Sequence, residues 1–205
     1  MARRTGPRMK LSRRFGVALF NTAKEAKVLQ RRNYPPGQHG PAASGRISEY
    51  GTQLREKQKA KIIYGLLERQ FRKYFTEALK QKGDTGFFLL RFLELRLDNV
   101  VYRLGFAMTR AQARQMVSHG HIVVNDRVVD VPSYRVRAGE VISIRPQSAG
   151  KALFGTLPKQ LENHEAPSWL ELDKTDLRGK VISLPEASHV EQVISSQLIV
   201  EFYSR

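Results

Sequence analysis

At Gly120 the apolar period of this chain changes from 3.6 residues to two. Before it, apolar residues recur at helical spacing: Leu67, Phe71, Tyr74, Phe75 and Ala78, then Ala113, Met116 and Val117. After it, short β-branched runs at 121–124 and 127–129 flank Asn125-Asp126, a pair suited to a two-residue hairpin turn. Helices followed by a small antiparallel sheet define an α+β fold.

Capping residues and breakers place the elements more closely. Ser48 is the N-cap of a helix running to about residue 64. A second helix covers 67–78, with Gly83 as its C-terminal stop. A third, over 87–95, is apolar on most sides and is expected at the centre of a first domain. A short helix over 97–104 ends at Gly105, and Thr109 with Gln112 three residues on forms a capping box for the helix that Gly120 closes. Two more strands, 134–137 and 140–145, are expected around Ala138-Gly139. The tail reads as a helix near 151–163, strands at 169–172 and 180–184, and a last segment, 190–203, whose spacing favours a helix although Leu198-Ile199-Val200 suits a strand equally. Residues 1–47 read as an irregular extension. Tyr34-Pro35-Pro36-Gly37-Gln38-His39-Gly40-Pro41 cannot be helix interior or central strand, because proline fixes φ and lacks the donor. Such a segment is expected to gain order against a partner.

The charge is as uneven as the pattern. The 205 residues hold 35 Lys and Arg against 19 Asp and Glu, a net +16. Residues 1–60 carry +11 and 61–120 carry +6, whereas 121–150 carry +1 and 151–205 carry −2. A generally basic surface would spread the surplus evenly. This distribution gives a polyanion-binding half and a neutral packing half.

The candidate binding residues follow from it. Arg3, Arg4, Arg8, Lys10, Arg13 and Arg14 crowd the start, and Arg46 follows the proline-rich loop. Arg55, Lys57, Lys59 and Lys61 lie on the first helix, and Arg69, Arg72 and Lys73 lie off the apolar face of the second. Arg96, Arg103, Thr109, Arg110, Arg114, Gln115, Ser118 and His119 surround the capped helix. Guanidinium forks suit phosphate oxygens, and the capped start offers free backbone donors. No arrangement demands a recognition helix with base-reading Asn or Gln, so binding by shape and phosphate is favoured.

Other function classes fail on specific grounds. Cysteine is absent, so disulfides, thiolate metal sites and a cysteine nucleophile are excluded. His119 and His121 are an i, i+2 pair without a third ligand, and no metal or cofactor is expected. There is no phosphate loop and no nucleophile elbow. Glu94 and Asp98, among Arg91, Arg96 and Arg103, read as ion-pair partners, not as an acid–base dyad. No apolar run approaches membrane-spanning length, and no apolar segment follows the basic start as in a secretory signal. The chain is thus expected to be no enzyme, with no small-molecule substrate and no membrane partner.

Leu97-Asp98-Asn99-Val100-Val101-Tyr102-Arg103, Thr109-Arg110-Ala111-Gln112-Ala113-Arg114-Gln115 and the 121–129 hairpin closely resemble the RNA-binding module named after ribosomal protein S-four. Pro36-Gly37-Gln38-His39-Gly40, Gln53-Leu54-Arg55-Glu56-Lys57-Gln58-Lys59, Tyr64-Gly65-Leu66-Leu67-Glu68-Arg69-Gln70-Phe71 and Leu198-Ile199-Val200-Glu201-Phe202-Tyr203-Ser204-Arg205 extend the likeness to the bacterial and plastid S-four family over essentially the whole chain. The resemblance implies a basic extension at 1–47, then a helical domain at 48–93 completed by a C-terminal helix at 188–205. It implies an inserted RNA-binding module at 94–187, its core at 96–150, with helices on a small antiparallel sheet.

It also implies a role. Such a protein is a structural constituent of the small ribosomal subunit that binds ribosomal RNA early, at a multi-helix junction, and nucleates assembly. It contacts small-subunit protein five, contributes to the messenger RNA entry path and to decoding accuracy, and resides in the ribosome, in the cytoplasm or, if organelle-encoded, the plastid stroma. Many relatives hold zinc with four N-terminal cysteines. This chain has none, so RNA and packing are expected to order its start. The alternative is an accessory module of an RNA-modification or stalled-ribosome rescue system. The 55 residues after position 150 are too few for a catalytic domain. A membrane-surface protein would need an amphipathic helix that 1–47 does not offer.

Overall fold

Ser48 caps the longest helix, its hydroxyl accepting the Gly51 amide at 3.2 Å. The computed structural model describes residues 6–42, 45, 47–151 and 154–205. Among these, the elements in chain order are α1 (Arg8–Phe15), α2 (Ala23–Arg31), α3 (Glu49–Ile63), α4 (Glu68–Ala78), α5 (Thr85–Glu94), α6 (Leu97–Arg103) and α7 (Arg110–Ser118). Then come β1 (Ile122–Val124), β2 (Arg127–Val128), β3 (Val141–Ile144), α8 (Pro146–Ala149), α9 (Leu157–Glu162), β4 (Leu170–Asp173), β5 (Arg178–Val181) and α10 (Ser196–Tyr203). The fold is α+β. It divides into one unit made of Met1–Gly86 and Gln192–Arg205, and a second made of Phe87–Glu191.

In the first unit α10 packs along α3. Phe71, Phe75 and Ala78 form the buried face of α4, and Tyr203 stacks on Phe75 with ring centroids 4.4 Å apart. Each buried apolar side chain contributes about 1.5–3 kcal/mol, which an eight-residue helix such as α10 needs because helices this short are marginal alone. α4 stops at Ala78, five residues before Gly83, the expected stop. The amides of Lys80 and Gln81 fold back onto the Glu77 and Ala78 carbonyls, so tight turns end the helix first. The extension is not irregular throughout: α1 and α2 lie within it. Gly16, at φ 72, closes α1, and Glu25 at the third position of α2 reaches back to the Thr22 amide.

In the second unit the five strands form one antiparallel sheet in the order β2-β1-β3-β5-β4. Val124 faces Arg127 across the hairpin, and Asn125 and Asp126 both take positive φ, 46° and 64°, as a type I′ turn requires. Leu97, Val100 and Val101 of α6, Leu104 at its C-cap, and Ala113, Met116 and Val117 of α7 pack with Ile122, Ile142, Trp169 and Val181 in one core. Gly179 lets β5 approach α6, since a Cβ there would lie 2.4 Å from Leu104.

Four expectations change here. Residues 134–137 form no strand, because the Tyr134 carbonyl accepts the Leu97 amide and the Val136 amide donates to the Leu95 carbonyl. Arg135 thus bridges to Arg96 and not to the sheet. The helix expected near 151–163 is the shorter α9, preceded by α8. The closing helix begins at Ser196, after a 3-10 turn at Ala187–His189. α5 belongs almost wholly to the second unit, where the Glu94 carboxylate is held by Asn99 and Arg103 of α6.

Candidate nucleic-acid interface

The units differ in charge far more than in size. The first holds 21 basic and 7 acidic residues, a net +14; the second holds 14 and 12, a net +2. Arg3, Arg4 and Arg46 lie outside the described residues. On α1, Arg8, Lys10 and Arg14 are exposed. Arg13 is drawn inward. It donates to the Tyr34 and Pro35 carbonyls at 3.2 and 3.1 Å and lies 4.8 Å from the Tyr34 ring centre, fixing the proline-rich loop against the helix. That loop needs Gly40, where a Cβ would sit 2.0 Å from the Pro35 oxygen.

The α3 cations are mostly engaged within the protein. Lys57, with its side chain 8% exposed, donates to Glu68 at 2.9 Å and sits 4.2 Å from the Phe202 ring centre. Lys61 pairs with the same carboxylate, and Lys59 with Glu56 and the Val193 carbonyl. Arg55 donates to the Arg14 carbonyl at 2.8 Å. These lysines brace α3 against α4 and α10 instead of forming an open phosphate-binding row. Arg69, Arg72 and Lys73 of α4 are different: all three are exposed, on the side opposite the buried Phe71 and Phe75.

The module arginines bring the main correction. Arg96 is an interior residue, its side chain 1% exposed, and its fork meets both oxygens of Asp98 at 3.0 and 2.7 Å. A guanidinium there cannot reach RNA. Arg114 lies 3.7 Å from the same Asp98, linking α7 to α6. Arg103 forks onto Glu94 at 3.0 and 2.8 Å and touches Glu191 at 3.3 Å. Arg110 donates to Asn99 at 2.7 Å and to Glu191, and lies over the Tyr102 ring at 4.6 Å. The ion-pair reading of Glu94 and Asp98 is thus realised, and it engages the arginines assigned to RNA. Glu191, in the neutral tail, was not foreseen. No sequence signal links it to Arg110, 81 residues away.

Thr109 accepts the Gln112 amide at 3.2 Å, so the cap forms as expected, although the Gln112 side chain reaches Met108 and not Thr109. Gln115, Ser118 and His119 are exposed along α7. The His119 and His121 rings lie 6.1 Å apart, and His121 bonds to Ser148 at 2.9 Å. Burial, with Lys151, His119 and Arg145 nearby, lowers the His121 pKa. Among the described residues no three metal-ligating side chains converge, and no helix is long and apolar enough to cross a membrane. Ser168 and His189 stand 2.7 Å apart, but the Glu186 amide donates to His189 Nδ1. The ring proton therefore sits on Nε2, the opposite of what a general base for Ser168 requires.

A basic helical unit and an α+β module with capped helices on an antiparallel sheet together define the class: a nucleic-acid-binding protein. The comparisons narrow it. The family model described as "Ribosomal protein S4/S9 N-terminal domain" matches residues 3–94, and that described as "S4 domain" matches 95–142. The chain is 55% identical over 208 residues to "Small ribosomal subunit protein uS4" of Roseiflexus castenholzii, with all of both chains covered. It is 51% identical over 210 residues to the protein of that name from Aquifex aeolicus and 51% over 205 residues to that from Parabacteroides distasonis, again with full coverage. The chain belongs to the uS4 family of ribosomal proteins, here in a form without cysteine. That is a family of structural proteins, not of enzymes.

Proposed function

We propose that the chain is a structural constituent of the small ribosomal subunit, residing in the ribosome, and a primary binder of its RNA whose docking nucleates assembly. One observation carries this reading. The first unit holds +14, and Arg8, Lys10, Arg14, Arg69, Arg72 and Lys73 stand exposed on it. A surplus of that size repels itself until an anion answers it, and phosphate contacts supply the sequence-independent part of RNA affinity. Gln115, Ser118 and His119 on α7 supply a smaller second contact. Arg110 and Arg114 act mainly by holding α7 to α6, and Arg103 by holding α6 to α5. Protein five of the small subunit and the messenger RNA path are the further neighbours this reading includes.

Nucleotide-resolution footprinting of the full chain on small-subunit ribosomal RNA tests it. Protection confined to one multi-helix junction is expected. Diffuse protection over the whole RNA would overturn the reading.

A further inference from the structure

Arg96, Arg103, Arg110 and Arg114 each pair with an acid. Arg145 and Lys151, also in the second unit, do not: among the described residues no carboxylate pairs with either. The backbone brings these two cations to one place. The Arg145 amide donates to the His121 carbonyl at 2.8 Å, which fixes the residue after β3 beside the residue before β1. The Ser148 and Lys151 amides then donate to the Arg145 and Ser148 carbonyls, at 2.8 and 3.0 Å. In turns closed this way, side chains three residues apart lie over one another, so Arg145, Ser148 and Lys151 share a face.

His121 is held at the middle of that face. Its Nδ1 bonds to the Oγ of the buried Ser148 at 2.9 Å, and its ring meets Phe154 edge-on with centroids 5.9 Å apart. Its Nε2 has no hydrogen-bond partner among the described residues. The exposed His119 ring stands 6.1 Å away. Burial, and then the charges of Lys151, His119 and Arg145, hold the His121 pKa below the usual histidine value. Each of these charged neighbours is basic. Basic side chains gathered around a fixed ring repel one another, and an anion among them removes that repulsion.

We propose that His121, Arg145 and Lys151 form a binding site for one backbone phosphate of RNA. This rests on the RNA-binding reading above and gives the module a phosphate contact of its own. Arg145 brings a guanidinium fork to the phosphate oxygens, and the exposed Lys151 brings a point charge. The phosphate offsets the like charges around His121, so the ring takes up a proton from solvent as RNA binds. Its Nδ1–H then donates to Ser148 and its Nε2–H to a phosphate oxygen. The bound pKa lies above the free one, so RNA affinity rises as pH falls from the bound value to the free value.

The test uses the full chain and small-subunit ribosomal RNA transcribed in vitro. NMR titration of histidine-labelled native protein, with and without RNA, reads the His121 pKa. Binding over a series of salt concentrations compares the native protein with two double variants. One is Arg145→Gln with Lys151→Gln. The other is Arg127→Gln with Arg178→Gln, which removes the same charge elsewhere on the second unit. The His121 pKa should rise when RNA binds. The first variant should bind about tenfold more weakly. Its log–log salt slope should fall by about 0.7, the share of one phosphate. The second variant should keep the native slope. A His121 pKa that RNA leaves in place or lowers would overturn the proposal, and that reading needs no variant. So would a native slope in the first variant, or equal flattening in both. A native protein that binds no RNA at all would instead overturn the RNA-binding reading, and this site with it.

Discussion

Tyr203 donates its phenol proton to Glu68 at 2.9 Å, joining α10 to the first turn of α4 across 135 residues of chain. Lys57 and Lys61 meet the same carboxylate. Burial works against the Glu68 charge, but the hydrogen bonds from Lys61, Lys57 and Tyr203 outweigh it and hold the pKa at about 2, against an ordinary 4.5. Burial, then Glu68, raises the Tyr203 pKa.

The sign of the resulting pH dependence follows. A depressed carboxylate stabilises the fold above its unfolded pKa and loses that contribution as pH falls from about 4.5 toward 2. The raised phenol contributes below its ordinary pKa of about 10 and loses its share above it. Tyr203→Phe keeps the stack on Phe75 and removes the donor, costing about 1 kcal/mol at neutral pH and flattening the acid limb. Urea unfolding of both proteins between pH 7 and pH 3 measures this. Identical acid limbs would show that the contact is uncoupled from folding.

Asp98→Ala should be among the most damaging single changes in the second unit. It leaves the Arg96 guanidinium buried without its carboxylate, a loss of about 3–5 kcal/mol. Guanidinium chloride denaturation checks the size. A loss below about 1 kcal/mol would mean that Arg96 swings out to solvent and belongs to the surface after all.

Asp126→Gly should stabilise the module by about 0.5–1 kcal/mol. The position sits at φ 64, which glycine adopts freely and aspartate does not. Thermal melting of the variant should rise; an unchanged or lowered midpoint would contradict the strain assigned to this turn.

Local chemistry made much of this fold legible. Ser48, Thr109, Gly105, Gly120 and Asn125-Asp126 each act within a few residues, and each does in the structure what its type dictates. What escaped was decided by partners distant in sequence. α1 and α2 look too polar to fold until Glu25 is seen holding Ser12 and the connecting amides. Residues 134–137 have the composition of a strand, but their hydrogen bonds go to Leu95 and Leu97. The site was legible as a region and less so as residues. Charge per segment located the basic half. A basic residue does not reveal in sequence whether an acid will meet it, and Arg96, Arg103, Arg110 and Arg114 all meet one.

The central claim is that the first unit, and only in smaller part the module, carries the phosphate contacts, and salt dependence tests it most directly. Each lost single-strand phosphate contact flattens the log–log slope by about 0.7. Replacing Arg69, Arg72 and Lys73 by Gln should therefore lower the slope of small-subunit RNA binding by about 2. Replacing Arg127, Arg137 and Arg178, an equal number of exposed cations on the second unit, should leave it nearly unchanged. A flattened slope from the second set, with the first set binding as the native protein does, would contradict the account.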